Sequence, residues 1–179
     1  FMLGHKNGPT ATNLSSSRVA SDVAARHGQT CHRSAVGEIN VVTTMKEENA
    51  VIGGEGNGGV INPDLHYGRD ALVGAAMILQ LLAEKKMSAS EYRASLPTYF
   101  MKKQKLSLDG LDADSLLKKA EELFADYNPD TTDGVKIDFE NGWVHLRPSN
   151  TEPILRIYSE GTSPDEATKL AGQVTDKLK

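Results

Sequence analysis

Apolar positions along this chain follow two rhythms, one at every third or fourth residue and one at every second, and each predicts a different element. The longest helical run covers 69–86, where Leu72, Ala76, Leu79 and Ala83 repeat on one face with Val73 and Ile78 beside them. That stripe is expected to be core. A second helix is expected over 112–127, burying Leu116, Leu117, Ala120, Leu123 and Phe124. A third closes the chain and buries Ala167, Leu170, Ala171, Val174 and Leu178. Ser163-Pro164-Asp165-Glu166 opens it as a capping box with proline at the first helical position. Shorter helices follow Ser15-Ser16-Ser17, run from Gly37-Glu38 through Met45, and open at the capping box Ser88-Ala89-Ser90-Glu91. Gly28 stops the first of these and Leu96-Pro97 the last.

Strands are read at 9–14, 30–36, 50–53, 60–61, 99–108, 133–140, 143–147 and 154–159. Asn141-Gly142 joins two of them as a two-residue hairpin turn. That turn sets Phe139 opposite Val144 and Ile137 opposite Leu146 on the core side, with Asp138 opposite His145 and Lys136 opposite Arg147 on the other. Strands alternating with helices over residues 1–96 predict a layered α/β domain. The order strand, helix, hairpin, strand, helix over 97–179 predicts a small α+β domain with an antiparallel sheet and two helices. The boundary is expected near Pro97.

Composition narrows the function classes. With 39% hydrophobic and 25% charged residues the chain reads as an ordinary globular protein. A formal net charge of -4 excludes a general attraction to nucleic acid or anionic lipid, so neither is an expected partner and any anion site must be local. No apolar run approaches the ~20 residues of a membrane span, and no signal stretch opens the sequence. Cys31 is the single cysteine, so an internal disulfide is excluded; it reads as a packing residue, and a reducing, cytoplasmic setting is expected. The five histidines have no metal-ligand spacing. Lys102-Lys103-Gln104-Lys105 reads as a solvated sheet edge. Arg69-Asp70 reads as an ordinary helix entry.

The densest chemistry lies at 147–153, Arg147-Pro148-Ser149-Asn150-Thr151-Glu152-Pro153. The Arg fork, two hydroxyls, an amide and successive backbone N–H groups suit a doubly charged phosphate, and the prolines restrict the turn. On the predicted register, Lys136 opposite Arg147 is a like-charge pair that a bound anion would relieve. From the residues alone, two splayed and solvated cations explain that pair slightly better. A second block, Gly53-Gly54-Glu55-Gly56-Asn57-Gly58-Gly59, lets a backbone approach a ligand closely while Glu55 and Asn57 offer hydroxyl-binding groups. It has no Lys-Ser or Lys-Thr pair and no helix follows it directly, so a nucleotide loop is not expected.

These two blocks, together with Asp133-Gly134-Val135-Lys136 and Gly142-Trp143, resemble the last two domains of the α-D-phosphohexomutases. That family includes phosphoglucomutases, phosphomannomutases and phosphoglucosamine mutases. The resemblance runs over nearly the whole chain and implies a partial third domain, incomplete at its N-terminus, over 1–96 and a complete fourth domain over 97–179. In such enzymes a phosphoserine of the first domain gives its phosphoryl group to a hexose phosphate, and the bisphosphate turns around and returns the other phosphate. A magnesium ion sits on an aspartate-rich loop of the second domain. The resemblance implies that Arg147, Ser149, Asn150, Thr151 and Arg156 clamp the substrate's phosphate and that Glu55 and Asn57 read its sugar hydroxyls; Lys136 is added from the register. Neither the serine motif nor the magnesium loop occurs in these residues, so the chain is expected to hold no catalytic residue and no metal, and to be inactive alone as a C-terminal part of an intramolecular phosphotransferase. Many members carry serine at the place of Asn57 and histidine at that of Gly59, and some a histidine at that of Glu38, so no general base is assigned. Glucose, mannose and glucosamine phosphates all remain as substrates. A non-catalytic sugar-phosphate-binding module would share both loops, and an interaction protein would keep them as vestiges.

Overall fold

Parallel pairing in the first half of the chain gives way to antiparallel pairing in the second. The computed structural model describes residues 1–108, 110–149 and 151–178, in two compact units, Phe1–Thr98 and Tyr99–Lys179.

The first unit runs α1 (Met2–His5), β1 (Thr10–Asn13), α2 (Val19–Arg26), β2 (Cys31–Ser34), α3 (Glu38–Glu47), β3 (Ile52–Gly54), β4 (Val60–Ile61), α4 (Ala71–Lys85) and α5 (Ala89–Ser95). Its sheet has the order β2-β1-β3-β4, with β1 parallel to both neighbours and β4 antiparallel. Val41, Val42 and Met45 of α3 cluster with Ala11, Ala50 and Ile61. Strand alternation sends the neighbouring positions the other way. There Thr10, Thr12, Ile52 and Val60 line a cavity of about 510 Å³ with Val19 and Val23 of α2 and Met77, Ile78 and Leu81 of α4. The Ser88 capping box forms as expected, and the Asp70 carboxylate caps α4 by accepting from Leu72 and Val73 N–H.

The α4 stripe departs from the sequence expectation. Gly74 is the buried residue of α4, while Leu72 is 83% and Leu79 68% exposed. The reason is geometric: the helix meets the sheet at the two-residue strand β4, where a Cβ on Gly74 would lie 3.0 Å from Val60 Cγ2. That narrow contact leaves most of the apolar face uncovered in this chain.

The second unit runs β5 (Phe100–Ser107), α6 (Ala113–Leu123), β6 (Val135–Phe139), β7 (Gly142–Pro148), β8 (Ile154–Gly161) and α7 (Pro164–Leu178). Its sheet is antiparallel throughout, in the order β5-β8-β7-β6. Both helices pack toward the strand positions Val135, Ile137, Val144, Leu146, Leu155 and Ile157, forming one core with Ala120, Leu170, Ala171, Val174 and Leu178.

The hairpin register is a correction. The turn is Glu140-Asn141, and Gly142 already pairs with Phe139, so Ile137 faces Val144, Val135 faces Leu146, Asp138 faces Trp143 and Lys136 faces His145. A slip of two residues keeps every side chain on its face, so the core side matches the expectation. Gly142 is needed in the strand instead of the turn: a Cβ there would overlap the Glu160 carbonyl oxygen and lie 2.7 Å from Leu170 Cδ1. The Lys136–Arg147 pair therefore does not form.

Candidate functional site

Two clusters carry the chemistry, one in each unit. In the second unit β7 delivers Arg147 and β8 delivers Arg156, and the register places them directly opposite each other. A like-charge pair thus spans the strands, made by partners different from those the sequence suggested. The turn between the strands is tied at its base, where Ser149 N–H donates to the Ile154 carbonyl at 3.0 Å. The Arg156 Nη2 donates to Ser149 Oγ at 3.3 Å and lies 3.9 Å from Glu152 Oε2. Arg147 Nε donates to the Asp133 carboxylate at 2.9 Å, which aims the arginine along the sheet face. Arg147, Ser149 and Arg156 are therefore brought together; Thr151 is exposed in the same turn, and Asn150 lies outside the described residues.

Lys136 takes a different place. It is 3% exposed, its Nζ donates to the Asp138 carboxylate at 2.7 and 2.8 Å, and it sits 5.4 Å from the Trp143 ring centroid. Lys136 faces His145, so no like-charge pairing ties it to Arg147. Between it and Arg147 stands His145, buried, with Nε2–H donating to the Asp133 carbonyl at 2.6 Å. Burial pushes the His145 imidazole below its usual value; Asp133 draws it back up, and the cations Lys136 and Arg147 push it further down. Asp133 thus serves two side chains of this face, a role that the sequence pattern did not reveal because it depends on the true register.

In the first unit the glycine-rich loop joins β3 to β4. Glu55 N–H donates to the Gly59 carbonyl at 3.0 Å, Gly58 N–H to the Glu55 carbonyl at 3.0 Å, and Gly59 N–H to Asn57 Oδ1 at 3.0 Å. The loop thereby closes on itself and turns Glu55 inward, leaving its side chain 6% exposed. Asn13, at the end of the neighbouring parallel strand, donates to Glu55 Oε1 at 3.0 Å and accepts from Ser16 Oγ at 2.9 Å. Asn57 Nδ2 lies 3.4 Å from Glu55 Oε2, and Arg69 Nη1 lies 3.4 Å from the same oxygen. Arg69 also donates from N and Nε to the two Glu38 oxygens, each at 2.9 Å. Those bonds, the backbone one first, hold the Glu38 carboxyl below the usual range. Glu55 and Asn57 lie in contact with each other, and Asn13 and Arg69 were missed as their supports. Only the strand order brings Asn13 beside the loop.

Among the described residues there is no group of three or more His, Cys, Asp or Glu side chains that could hold a metal ion. No helix of the described residues is long and apolar enough to cross a membrane.

Comparison with known proteins finds one family in both units. Residues 2–100 match the model of the phosphoglucomutase/phosphomannomutase alpha/beta/alpha domain III, and residues 102–177 that of the phosphoglucomutase/phosphomannomutase C-terminal domain. A phosphoglucomutase/phosphomannomutase of Thermococcus kodakarensis is 41% identical over 89% of this chain and 35% of its own length. The crystal structure of a phosphoglucomutase/phosphomannomutase family protein from Burkholderia thailandensis superposes with a TM-score of 0.78 at 22% identity, over 99% of this chain and 38% of that one. The structure of Aspergillus fumigatus N-acetylphosphoglucosamine mutase in complex with GlcNAc-6P and magnesium superposes with a TM-score of 0.65 at 15% identity, over 95% and 38%. This chain spans little more than a third of the length of each.

Proposed function

Because the chain belongs to the phosphoglucomutase/phosphomannomutase family and carries its domain III and its C-terminal domain, we propose that it supplies the sugar-reading loop and the phosphate clamp of a phosphohexomutase. Residues 1–96 read the sugar and residues 97–179 hold the phosphate. The substrate is a hexose phosphate of the glucose, mannose or glucosamine type, and the whole enzyme moves the phosphate between the 6- and 1-positions through a phosphoserine and a 1,6-bisphosphate. Its work is cytoplasmic, in keeping with the single cysteine.

The observation that carries this reading is the pair Arg147 and Arg156, opposed across β7 and β8 beside the Ser149 hydroxyl. Each arginine has one carboxylate beside it, Asp133 for Arg147 and Glu152 for Arg156, and a doubly charged phosphate at this rung would draw donors from both. Arg147, Ser149, Asn150, Thr151 and Arg156 form the clamp; Lys136, occupied by Asp138, is left out of it. The clamp acts by position. Holding the non-reacting phosphate lets remote binding energy orient the reacting end. Glu55, fixed by Asn13 and Arg69, presents an aligned acceptor to a pair of sugar hydroxyls, and Asn57 adds a donor and an acceptor. Magnesium would supply charge neutralisation during phosphoryl transfer, bound outside this chain; the residues described here bind and orient.

Titration of the chain with glucose, mannose and glucosamine 6-phosphates, followed by amide chemical shifts, tests the reading. Shifts centred on residues 147–156, lost in Arg147→Ala with the fold intact, are expected. Binding unchanged by Arg147→Ala would overturn the clamp. The chain alone is expected to show no mutase turnover in a coupled assay, and turnover would refute the division of labour.

A further inference from the structure

β5 is an edge of the second sheet, next to β8, and its lysines are not equivalent. Lys102 faces the helix side, where its Nζ donates to Thr168 Oγ1 of α7 at 3.1 Å. Lys105 points to the opposite face and stands directly across from Arg156, which stands across from Arg147. Three cations therefore share one rung over three neighbouring strands. Directly opposed like charges destabilise a sheet, so the rung needs a counter-charge. Asp133 answers Arg147 at one end. At the other end the counter-charge comes from the turn itself: both Glu152 oxygens lie 3.3 Å from Lys105 Nζ, and Oε2 lies 3.9 Å from Arg156.

A carboxylate set between an ammonium and a guanidinium has the charge and spacing of two oxygens of a phosphate. We propose that Lys105 is a further cation of the phosphate seat and that Glu152 is an internal stand-in for the phosphate, which leaves when a phosphate monoester enters. This rests on the reading of the 147–153 turn as that seat. The exchange needs little rearrangement. Both partners are largely solvated, with side chains 64% and 45% exposed, and such pairs open at small cost. The Glu152 backbone stays in place, because its carbonyl accepts from Ile154 N–H at 2.8 Å. The incoming group carries about −1.5 to −2 charges at pH 7 against the carboxylate's single one, so a dianion gains from the swap and a monoanionic acid gains nothing. Glu152 thereby selects for dianionic monoesters over sugar acids, and Lys105 meets the phosphate as a point charge.

Titrating the full chain with inorganic phosphate at pH 8 and low salt, by amide chemical shifts, tests this on wild type, Lys105→Ala, Glu152→Gln, the double variant and Arg147→Ala. Glu152→Gln is expected to tighten phosphate binding roughly threefold to tenfold, and Lys105→Ala to weaken it by a similar factor. The Lys105→Ala loss is expected to persist in the Glu152→Gln background, since Lys105 touches the phosphate itself. If Arg147→Ala loses binding while Lys105→Ala and Glu152→Gln each stay within about twofold of wild type, Lys105 and Glu152 are overturned and the clamp stands. Weaker binding in Glu152→Gln likewise overturns the stand-in. If no variant binds, or Arg147→Ala binds like wild type, the clamp falls and this inference with it.

Discussion

The two units treat the same sequence signal in opposite ways. α4 and α7 are both fifteen-residue helices with apolar residues at helical spacing. α7 buries Ala167, Leu170, Ala171, Val174 and Leu178 against its sheet. α4 buries Gly74 and leaves Leu72, Ile78 and Leu79 in solvent beside a cavity of about 510 Å³. Helical periodicity reveals that a face is apolar; it does not reveal whether the same chain supplies a surface to cover it. The second unit closes its core with its own strands, and the first holds only the α3 side of its sheet tightly.

The sharpest way to break this contrast is to truncate one leucine in each unit. Leu155→Ala, in a fully buried position, is expected to cost about 2–5 kcal/mol, whereas Leu79→Ala on exposed α4 is expected to stay within about 0.5 kcal/mol. Denaturant unfolding separates the two readouts. Trp143, the only tryptophan, is buried in the second unit, so its fluorescence follows that unit, while circular dichroism follows both. The first unit is expected to melt at lower denaturant, and coincident transitions would erase the contrast.

Two glycines with positive φ give the next effect. Gly134 has φ +76°, and a Cβ there would overlap the Leu146 carbonyl oxygen; Gly28 has φ +67° with open space around it. Gly134→Ala is expected to cost roughly 3 kcal/mol or more, and Gly28→Ala about 1 kcal/mol, the backbone strain alone. Thr10→Val should move the first unit the other way. Thr10 Oγ1 is buried with no hydrogen-bond partner among the described residues, so removing it is expected to stabilise that unit by about 1 kcal/mol in a melting experiment.

The smallest effect is a pH dependence confined to the second unit. The His145 imidazole is held below its usual value of 6.5, first by burial. Its unfolded form binds a proton more readily, so the contribution is fully present above pH 6.5 and is lost as pH falls through the lower folded value. Tryptophan fluorescence melts from pH 7.5 downward should show a decline that His145→Gln flattens; an unchanged slope would remove His145 from the account.

Much of this was legible beforehand. The order of elements, the Ser88 cap and the inward faces of the hairpin followed from spacing and capping chemistry. The register did not, because Asn141-Gly142 is a turn signal only while nothing else needs the glycine, and here the close approach of β8 and α7 does. Arg147, Ser149 and Arg156 were foreseen as neighbours. Lys105 was read as edge protection, since its true neighbour is fixed by which strand lies beside β5, a non-local choice that alternation along one strand cannot express. The partner of Lys136 was misread for the same reason, one strand pairing away.

Gly59 has a consequence beyond this molecule. The Arg69 stem crosses directly over it, in space that any Cβ at that position would claim. A relative with an imidazole there must give up that crossing and brace its loop glutamate by another route. The two positions should change together through evolution, so that swapping one alone between branches would loosen the carboxylate even where every sugar contact is kept.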